Sequence, residues 1–98
     1  MLVTIHKTSN GKSIVAVCDQ ELLGKKFEEN DLQLDLTGNF YKGTNLNEIE
    51  AKKIIMRVYI INVVGKKSIE FCIREKIIKK GDENKISNIP YVQAIING

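Results

Sequence analysis

The chain has 98 residues, of which 43% are hydrophobic and 28% charged, and its formal net charge is +3. These ordinary globular values exclude a disordered or low-complexity chain and predict a single domain, residues 1–98, with one modest core. No apolar run approaches the roughly 20 residues that span a bilayer, and the first residues lack a signal-peptide pattern, so we expect a cytoplasmic protein.

The first predicted element is a β-hairpin. The segments LVTIHKT and KSIVAVC are rich in β-branched residues and flank Asn10-Gly11. This dipeptide is a strong hairpin signal, because both residues accept positive φ in a type I′ turn. With a two-residue loop, Val3 would pair with Cys18, and the two would share one face of the hairpin.

A short helical turn, a strand and an aromatic turn are predicted next. Asp19 is placed to cap the helical turn, which Gly24 ends. DLQLDL alternates apolar and polar residues, which is typical of a strand. In GNFYKG, residues 38–43, the glycines allow a sharp turn, with Phe40 expected in the core and Tyr41 half-exposed. The alternative is that both rings form a recognition surface.

The second half is predicted to form two consecutive helices. Asn47 and Glu50 match a capping box, and the helix they open would continue through a long apolar run to Gly65. The β-branched residues of that run would also suit a strand, but its length and the cap favour a helix. KKSIEFCIREKIIKKG follows as a second helix that Gly81 ends, and two short strands lie around Pro90. The fold class is therefore α+β, with a small mixed sheet packed on two helices.

Two stripes are expected on the second helix. Helical periodicity places Ile69, Cys72, Ile73 and Ile77 on a core face. Phe71 and Ile78 lie on a second stripe, on roughly the opposite side of the helix. That second stripe could bind a protein partner.

Charge is distributed unevenly along the chain. Residues 19–50 carry eight acidic and three basic residues, whereas residues 52–80 carry nine basic and two acidic ones. Such polarity favours contact with a polyanion, and the alternative is that the two halves neutralise each other in the fold. The candidate phosphate contacts are Lys52, Lys53, Arg57, Lys66, Lys67 and Arg74.

No catalytic or metal signature is present in the sequence. There is one histidine, and Cys18 and Cys72 each lie among aliphatic residues, so we expect two buried thiols, no metal and no cofactor. Gly11 and Gly65 each begin a short match to the end of a phosphate-binding loop, but the first glycine of that motif is missing. A milder possibility is that the N-terminus of the second helix, at Gly65, holds an anion through free backbone N–H groups.

Four segments, AVCDQELLGKKFEE, LDLTGNFYKG, NVVG and IPYVQ, together resemble the archaeal domain of unknown function 424 family over nearly the whole chain. The matching positions are Asp19, Leu23, Gly24, Phe40, Tyr41, Gly43, Asn62, Gly65 and Pro90. The resemblance implies no catalytic role, and it implies a place in translation or RNA handling. Members of the family often have histidine after the closing proline, where this chain has Tyr91. That departure favours a binding or structural role at this position.

Three functional hypotheses follow. The first is a small RNA- or ribosome-associated accessory factor in translation that is not an enzyme. The second is an enzyme or binding protein for a phosphorylated or carboxylated metabolite. The third is an adaptor that binds a protein through Phe71 and Ile78. The metabolite pocket would be formed by Asp19, Tyr41, Asn62, Lys66 and Tyr91.

Asn62 also has a structural prediction of its own. It lies inside the most apolar stretch, three residues before Gly65. An unpaired buried amide is costly, so its side chain is expected to bond the corner between the two helices to a neighbouring loop, such as the loop of Tyr41.

Overall fold

A computed structural model describes residues 1–96. The strands are β1 (Leu2–Lys7), β2 (Ser13–Cys18), β3 (Lys26–Glu29), β4 (Leu32–Asp35), β5 (Thr44–Asn45), β6 (Ile60–Val64), β7 (Asn84–Ile86) and β8 (Ile89–Ile95). The helices are α1 (Glu48–Ile55) and α2 (Lys66–Arg74), and a short 3₁₀ turn covers Gln20–Leu22. The prediction of an α+β fold is confirmed. Neither α-helix in residues 1–96 is long and apolar enough to cross a membrane.

Six of the strands form one mixed sheet, in the order β5-β1-β2-β6-β8-β7, and β3 pairs with β4 in a separate two-stranded sheet. Within residues 1–96, β2 and β6 are the one parallel pair of the large sheet, and its other strand pairs are antiparallel. The connection between these two strands contains the β3–β4 hairpin, β5 and α1. A parallel pair needs such a long crossover, because the chain must return to the same end of the sheet.

The first hairpin is present, but its predicted register is wrong by one residue. The backbone N–H of Thr8 donates to the carbonyl of Lys12 at 2.8 Å, and that of Gly11 donates to the carbonyl of Thr8 at 3.0 Å. Gly11 has a φ of 83°, and Asn10 has no positive φ. The loop is therefore a three-residue turn with glycine in the left-handed position, and not a two-residue type I′ turn.

This slip exchanges the faces of the hairpin, because side chains alternate along a strand. Val3 pairs with Val17, and Leu2 pairs with Cys18. Val3 therefore lies on the face opposite to Cys18, contrary to the prediction.

The two faces of the large sheet are covered by different parts of the chain. A helix-side core packs the sheet against α1 and α2 and includes Val3, Val15, Val17, Ala51, Ile55, Val58, Ile61, Val63, Ile69, Phe71, Cys72, Ile78 and Val92. A smaller hairpin-side core lies on the other face, beneath the β3–β4 hairpin, and its buried residues are Leu2, Cys18, Leu22, Leu36 and Val64. Because successive side chains of a strand point to opposite faces of the sheet, neighbours such as Val63 and Val64 belong to different cores.

The predicted helix from Asn47 to Gly65 is wrong in its second half. The capping box between Asn47 and Glu50 is formed, but α1 ends at Ile55 and the chain continues into β6. β6 is a central strand between β2 and β8, so residues on both of its faces pack against other elements. A two-sided strand of β-branched residues has no apolar–polar alternation, which is why the sequence resembled a buried helix.

The second helix is also shorter than predicted, because it ends at Arg74 and not near Gly81. Lys76 has a φ of 60°, and the N–H of Ile77 donates to the carbonyl of Cys72 at 2.8 Å. This pattern is a Schellman motif, with lysine in the left-handed position that glycine usually occupies.

The early end of α2 turns Ile78 back into the helix-side core. Ile78 is 6% exposed and Phe71 only 1% exposed. The predicted protein-binding stripe is therefore wrong, because both of its residues are buried.

Candidate functional site

The carboxyl ends of β2 and β6 lie side by side, and they bring Asp19 next to Gly65. The N–H of Asp19 donates to the carbonyl of Val64 at 3.1 Å. One oxygen of the Asp19 carboxylate, Oδ1, accepts hydrogen bonds from the N–H of Ser68 at 2.8 Å and from its Oγ at 2.6 Å. The other, Oδ2, accepts from the N–H of Lys67 at 3.1 Å. Asp19 therefore caps α2, and its side chain makes no capping bond to the 3₁₀ turn for which it was predicted.

Gly65 is required by this arrangement on two grounds. Its φ of 110° is rarely adopted by other residues, and a Cβ atom there would lie 2.3 Å from Cγ of Asp19. The expected anion site at this helix N-terminus is not open, because the N–H groups of Lys67 and Ser68 already donate to Asp19. The chain supplies its own anion at this position.

The five residues of the predicted metabolite pocket do not line one common cavity in residues 1–96. Asp19 lines one concavity and Lys66 another. Tyr41 and Tyr91 pack against the hairpin-side core instead. Burial, with a smaller contribution from Cys18, raises the pKa of Tyr41 to about 12. The two tyrosines therefore have a packing role in this structure.

Asn62 does not lie at a helix corner, so that prediction is wrong. It is a half-buried residue of β6, paired with Ala16 on one side and Gln93 on the other. Its side chain makes no hydrogen bond to any residue in the described part of the chain. Strand pairing satisfies the backbone there, and the amide projects from the same face of the sheet as Gln93.

The aromatic turn at residues 38–43 differs from the prediction in its first ring. Phe40 is 41% exposed, whereas Tyr41 is half-buried as expected. The ring of Phe40 stacks on the imidazole of His6 with centroids 4.5 Å apart, and Nε2 of His6 lies 2.8 Å from the Phe40 carbonyl oxygen. Gly43 passes so close to β1 that a Cβ atom would lie 2.3 Å from the carbonyl oxygen of Val3.

Three of the six predicted phosphate contacts are paired with carboxylates. Lys52 lies 2.9 Å from Glu75, Arg74 lies 2.6 Å from Glu48, and Lys67 lies 3.4 Å from Glu21. The hydrogen bond to Glu48, followed by its charge, raises the pKa of Arg74. Two of these pairs, Arg74–Glu48 and Lys67–Glu21, join the basic half of the chain to the acidic half, so the two halves neutralise each other in part. Within residues 1–96, no ion pair is formed by Lys53, Arg57 or Lys66.

A different set of cations surrounds a cleft of about 530 Å³ between α2 and the β7–β8 hairpin. α2 contributes Lys66 and Arg74, the segment after α2 contributes Lys80, and β7 contributes Lys85. We refer to this site as the cationic cleft. Only two of its four basic residues, Lys66 and Arg74, were predicted as phosphate contacts.

Two carboxylates also line the cationic cleft, those of Glu70 and Glu83. The backbone N–H groups of Glu83 and Gly81 lower the pKa of the Glu83 carboxyl, and Lys85 and Lys80 lower it further. Its bond from the N–H of Gly81 is 2.8 Å long and holds the side chain in place. With four cations and two carboxylates, the cleft keeps a net positive charge.

The chain is similar to known proteins both in sequence and in structure. The family described as "Protein of unknown function (DUF424)" matches residues 6–96. A crystal structure of an uncharacterized conserved protein from Methanopyrus kandleri is similar, with a TM-score of 0.80 and 24% identity over 97% of this chain and 90% of that one. At this identity the likeness shows the fold alone. No curated protein is significantly similar. The chain belongs to the DUF424 family.

Proposed function

We propose that this DUF424 protein is an RNA-binding accessory factor that contacts RNA phosphates through the cationic cleft. The observation that carries the proposal is the convergence of Lys66, Arg74, Lys80 and Lys85, from three separate segments, on one concave surface. Cations grouped around a concavity raise the local concentration of a polyanion more than the same charges spread over a convex surface.

The basic side chains of the cleft can bind phosphate without the loss of a strong ion pair. No ion pair within residues 1–96 involves Lys66, Lys80 or Lys85. Arg74 is paired with Glu48, but both side chains are more than half exposed. Exposed ion pairs contribute little to stability, so a phosphate can replace Glu48 as the partner of Arg74.

The proposed RNA is ribosomal or transfer RNA, because the sequence resemblance implies a place in translation or RNA handling. Proteins that bind RNA through phosphate contacts release counterions, so their affinity falls steeply as salt rises. The salt dependence therefore measures how many of the four cations of the cleft take part.

The test is fluorescence anisotropy of labelled tRNA, titrated with the protein at a series of KCl concentrations. The plot of log Kd against log salt has a slope of roughly 0.7–0.9 for each phosphate contact. A Lys80→Gln, Lys85→Gln double variant is expected to weaken binding at low salt and to reduce the slope by about 1.5.

A matched control variant carries Lys7→Gln and Lys42→Gln. Both lysines are exposed, and they lie near the β1–β5 edge, at the other end of the strand order from β7. The control removes the same charge from the protein, so it is expected to lose much less affinity. Absence of RNA binding at low ionic strength, or equal losses in the two double variants, would refute the proposal.

A further inference from the structure

We infer that the cationic cleft accepts one unpaired nucleotide of a single-stranded RNA, with its base in the cleft and its phosphates on the cations at the rim. The inference rests on the proposed RNA-binding function and goes further by naming the form of RNA that is bound.

The floor of the cleft is apolar. Its apolar lining residues are Ile69, Ile73 and Pro90. Ile69, which is 3% exposed, and Pro90 are already buried, so the half-buried Ile73 offers most of the apolar surface that a ligand can cover. A phosphate group gains nothing from such a floor, because it would lose water there without finding a hydrogen-bond donor. The flat face of a base, in contrast, gains when it covers the exposed part of Ile73 and both surfaces are removed from water.

The size of the cleft also fits one nucleotide. Its volume of about 530 Å³ lies in the range of roughly 300–1,000 Å³ typical of sites for a single small ligand. A base inside an A-form duplex is stacked and paired, and its face cannot reach the floor of a cleft. Only an unpaired nucleotide can place phosphate on the rim and base on the floor together.

The two carboxylates of the cleft can bind a base, although they cannot bind a phosphate. Glu70 and Glu83 would repel phosphate, but a carboxylate accepts hydrogen bonds from the exocyclic amino group of cytosine. The side-chain amide of Asn88, which also lines the cleft, can both donate and accept. The edge of the cleft is therefore suited to a base that carries an amino group, and less suited to uracil.

The backbone of the turn that carries Asn88 is held in place by hydrogen bonds to β3. Ser87 and Asn88 form the two-residue turn between β7 and β8, with φ values of 50° and 66°. The N–H of Ser87 donates to Glu29 at 2.9 Å, and its Oγ donates to the carbonyl of Glu28 at 2.9 Å. β3 therefore holds the backbone of this turn in place, so little backbone entropy is lost when Asn88 contacts a base.

The first experiment compares three labelled probes by anisotropy: a single-stranded RNA of about 10 nucleotides, the matching duplex, and an abasic strand of the same length. The abasic strand keeps the phosphates and lacks the bases. We expect the single strand to bind about tenfold more tightly than either, which corresponds to about 1.4 kcal/mol. We also expect oligocytidine to bind more tightly than oligouridine.

The second experiment uses the variant Asn88→Gly, which removes the amide while glycine accepts the positive φ. Its control is Asn30→Gly, because Asn30 has a φ of 55° in the β3–β4 turn and does not line the cleft. We expect Asn88→Gly to weaken binding of the single strand several-fold and to leave binding of the abasic strand unchanged. Asn30→Gly should change neither, and thermal melting of both variants checks that they fold.

The results separate the inference from the function on which it rests. If none of the probes binds at low salt, the proposed function fails and the inference fails with it. If the duplex or the abasic strand binds as tightly as the single strand, the inference is overturned and phosphate binding by the cleft stands. Equal affinity for oligocytidine and oligouridine, or an unchanged affinity of Asn88→Gly, would overturn the base contact.

Discussion

Removal of the Asp19 side chain is expected to lower the free energy of unfolding, because several hydrogen bonds of the fold depend on this one carboxylate. The residue is 5% exposed, and its carboxylate accepts three hydrogen bonds, two from Ser68 and one from the N–H of Lys67. In Asp19→Ala, the first turn of α2 loses its cap and the hydroxyl of Ser68, which is fully buried, loses its acceptor.

The magnitude follows from the groups left without partners. Loss of an N-terminal cap costs about 0.5–2 kcal/mol. An unsatisfied buried hydroxyl costs about 1–3 kcal/mol more. We therefore expect Asp19→Ala to lower the free energy of unfolding by about 3 kcal/mol, out of the roughly 5–15 kcal/mol that is typical of a small domain.

Urea denaturation followed by circular dichroism measures this change, with Ser68→Ala and the double variant completing a mutant cycle. Ser68→Ala alone removes one hydrogen bond, leaves the carboxylate with its two backbone donors, and should cost about 1 kcal/mol. In the double variant no hydroxyl remains to be left unpaired. Its loss should be smaller than the sum of the two single losses by about 0.5–3 kcal/mol.

Asp31→Ala provides the matched control, since Asp31 is an exposed aspartate with no side-chain hydrogen bond in residues 1–96. Its effect should stay within about 0.5 kcal/mol. If Asp19→Ala costs less than about 1 kcal/mol, or if the two single losses simply add, the capping role argued from the three hydrogen bonds is wrong.

Three further outcomes are expected. Gly43→Ala should lower the melting temperature markedly, because its Cβ would collide with the backbone of β1. Gly38→Ala is the control and should leave the melting temperature unchanged, because a Cβ there meets nothing within 4 Å. Equal melting temperatures of the two variants would contradict the close approach of Gly43 to β1. Burial raises the pKa of both Cys18 and Cys72 to about 12, so neither thiol should react with a disulfide reagent at pH 8 until the protein is denatured. The pKa of Tyr41 is raised from 10.0 to about 12, so its contribution to stability is complete below pH 10 and is lost as the pH rises towards 12. In Tyr41→Phe that part of the alkaline loss of stability should disappear from denaturation curves.

Local patterns in the sequence predicted the elements whose signals lie within a few residues. The capping box of Asn47 and Glu50 forms as expected, because both of its hydrogen bonds join groups three residues apart. The two predicted strands near Pro90 also form, but Pro90 lies inside β8, opposite Lys85 of β7, and not at an edge or bend between the strands. Such features depend on local backbone chemistry, which a single sequence displays directly.

Features that depend on sheet pairing were predicted poorly. The apolar run of β6 could be a helix or a strand, and only its neighbours β2 and β8 determine which one forms. The bond between Asp19 and Ser68 joins residues 49 positions apart, and it exists because the parallel pairing of β2 with β6 places their ends together. Nothing within a short window of sequence around Asp19 indicates this partner.

The cationic cleft could not be predicted for a related reason, since it depends on where α2 ends. If α2 had continued to Gly81, Lys80 would lie on the helix itself, about 9 Å along its axis from Arg74 at 1.5 Å per residue. The left-handed turn at Lys76 instead reverses the chain and brings Lys80, and then Lys85 of β7, to the cleft that α2 lines. Lysine tolerates that conformation only at a cost, which the burial of Ile78 beyond the turn offsets. The turn at Lys76 therefore has two effects. It buries Ile78, so that the predicted protein-binding stripe is not exposed, and it brings together the lysines at which RNA binding is proposed.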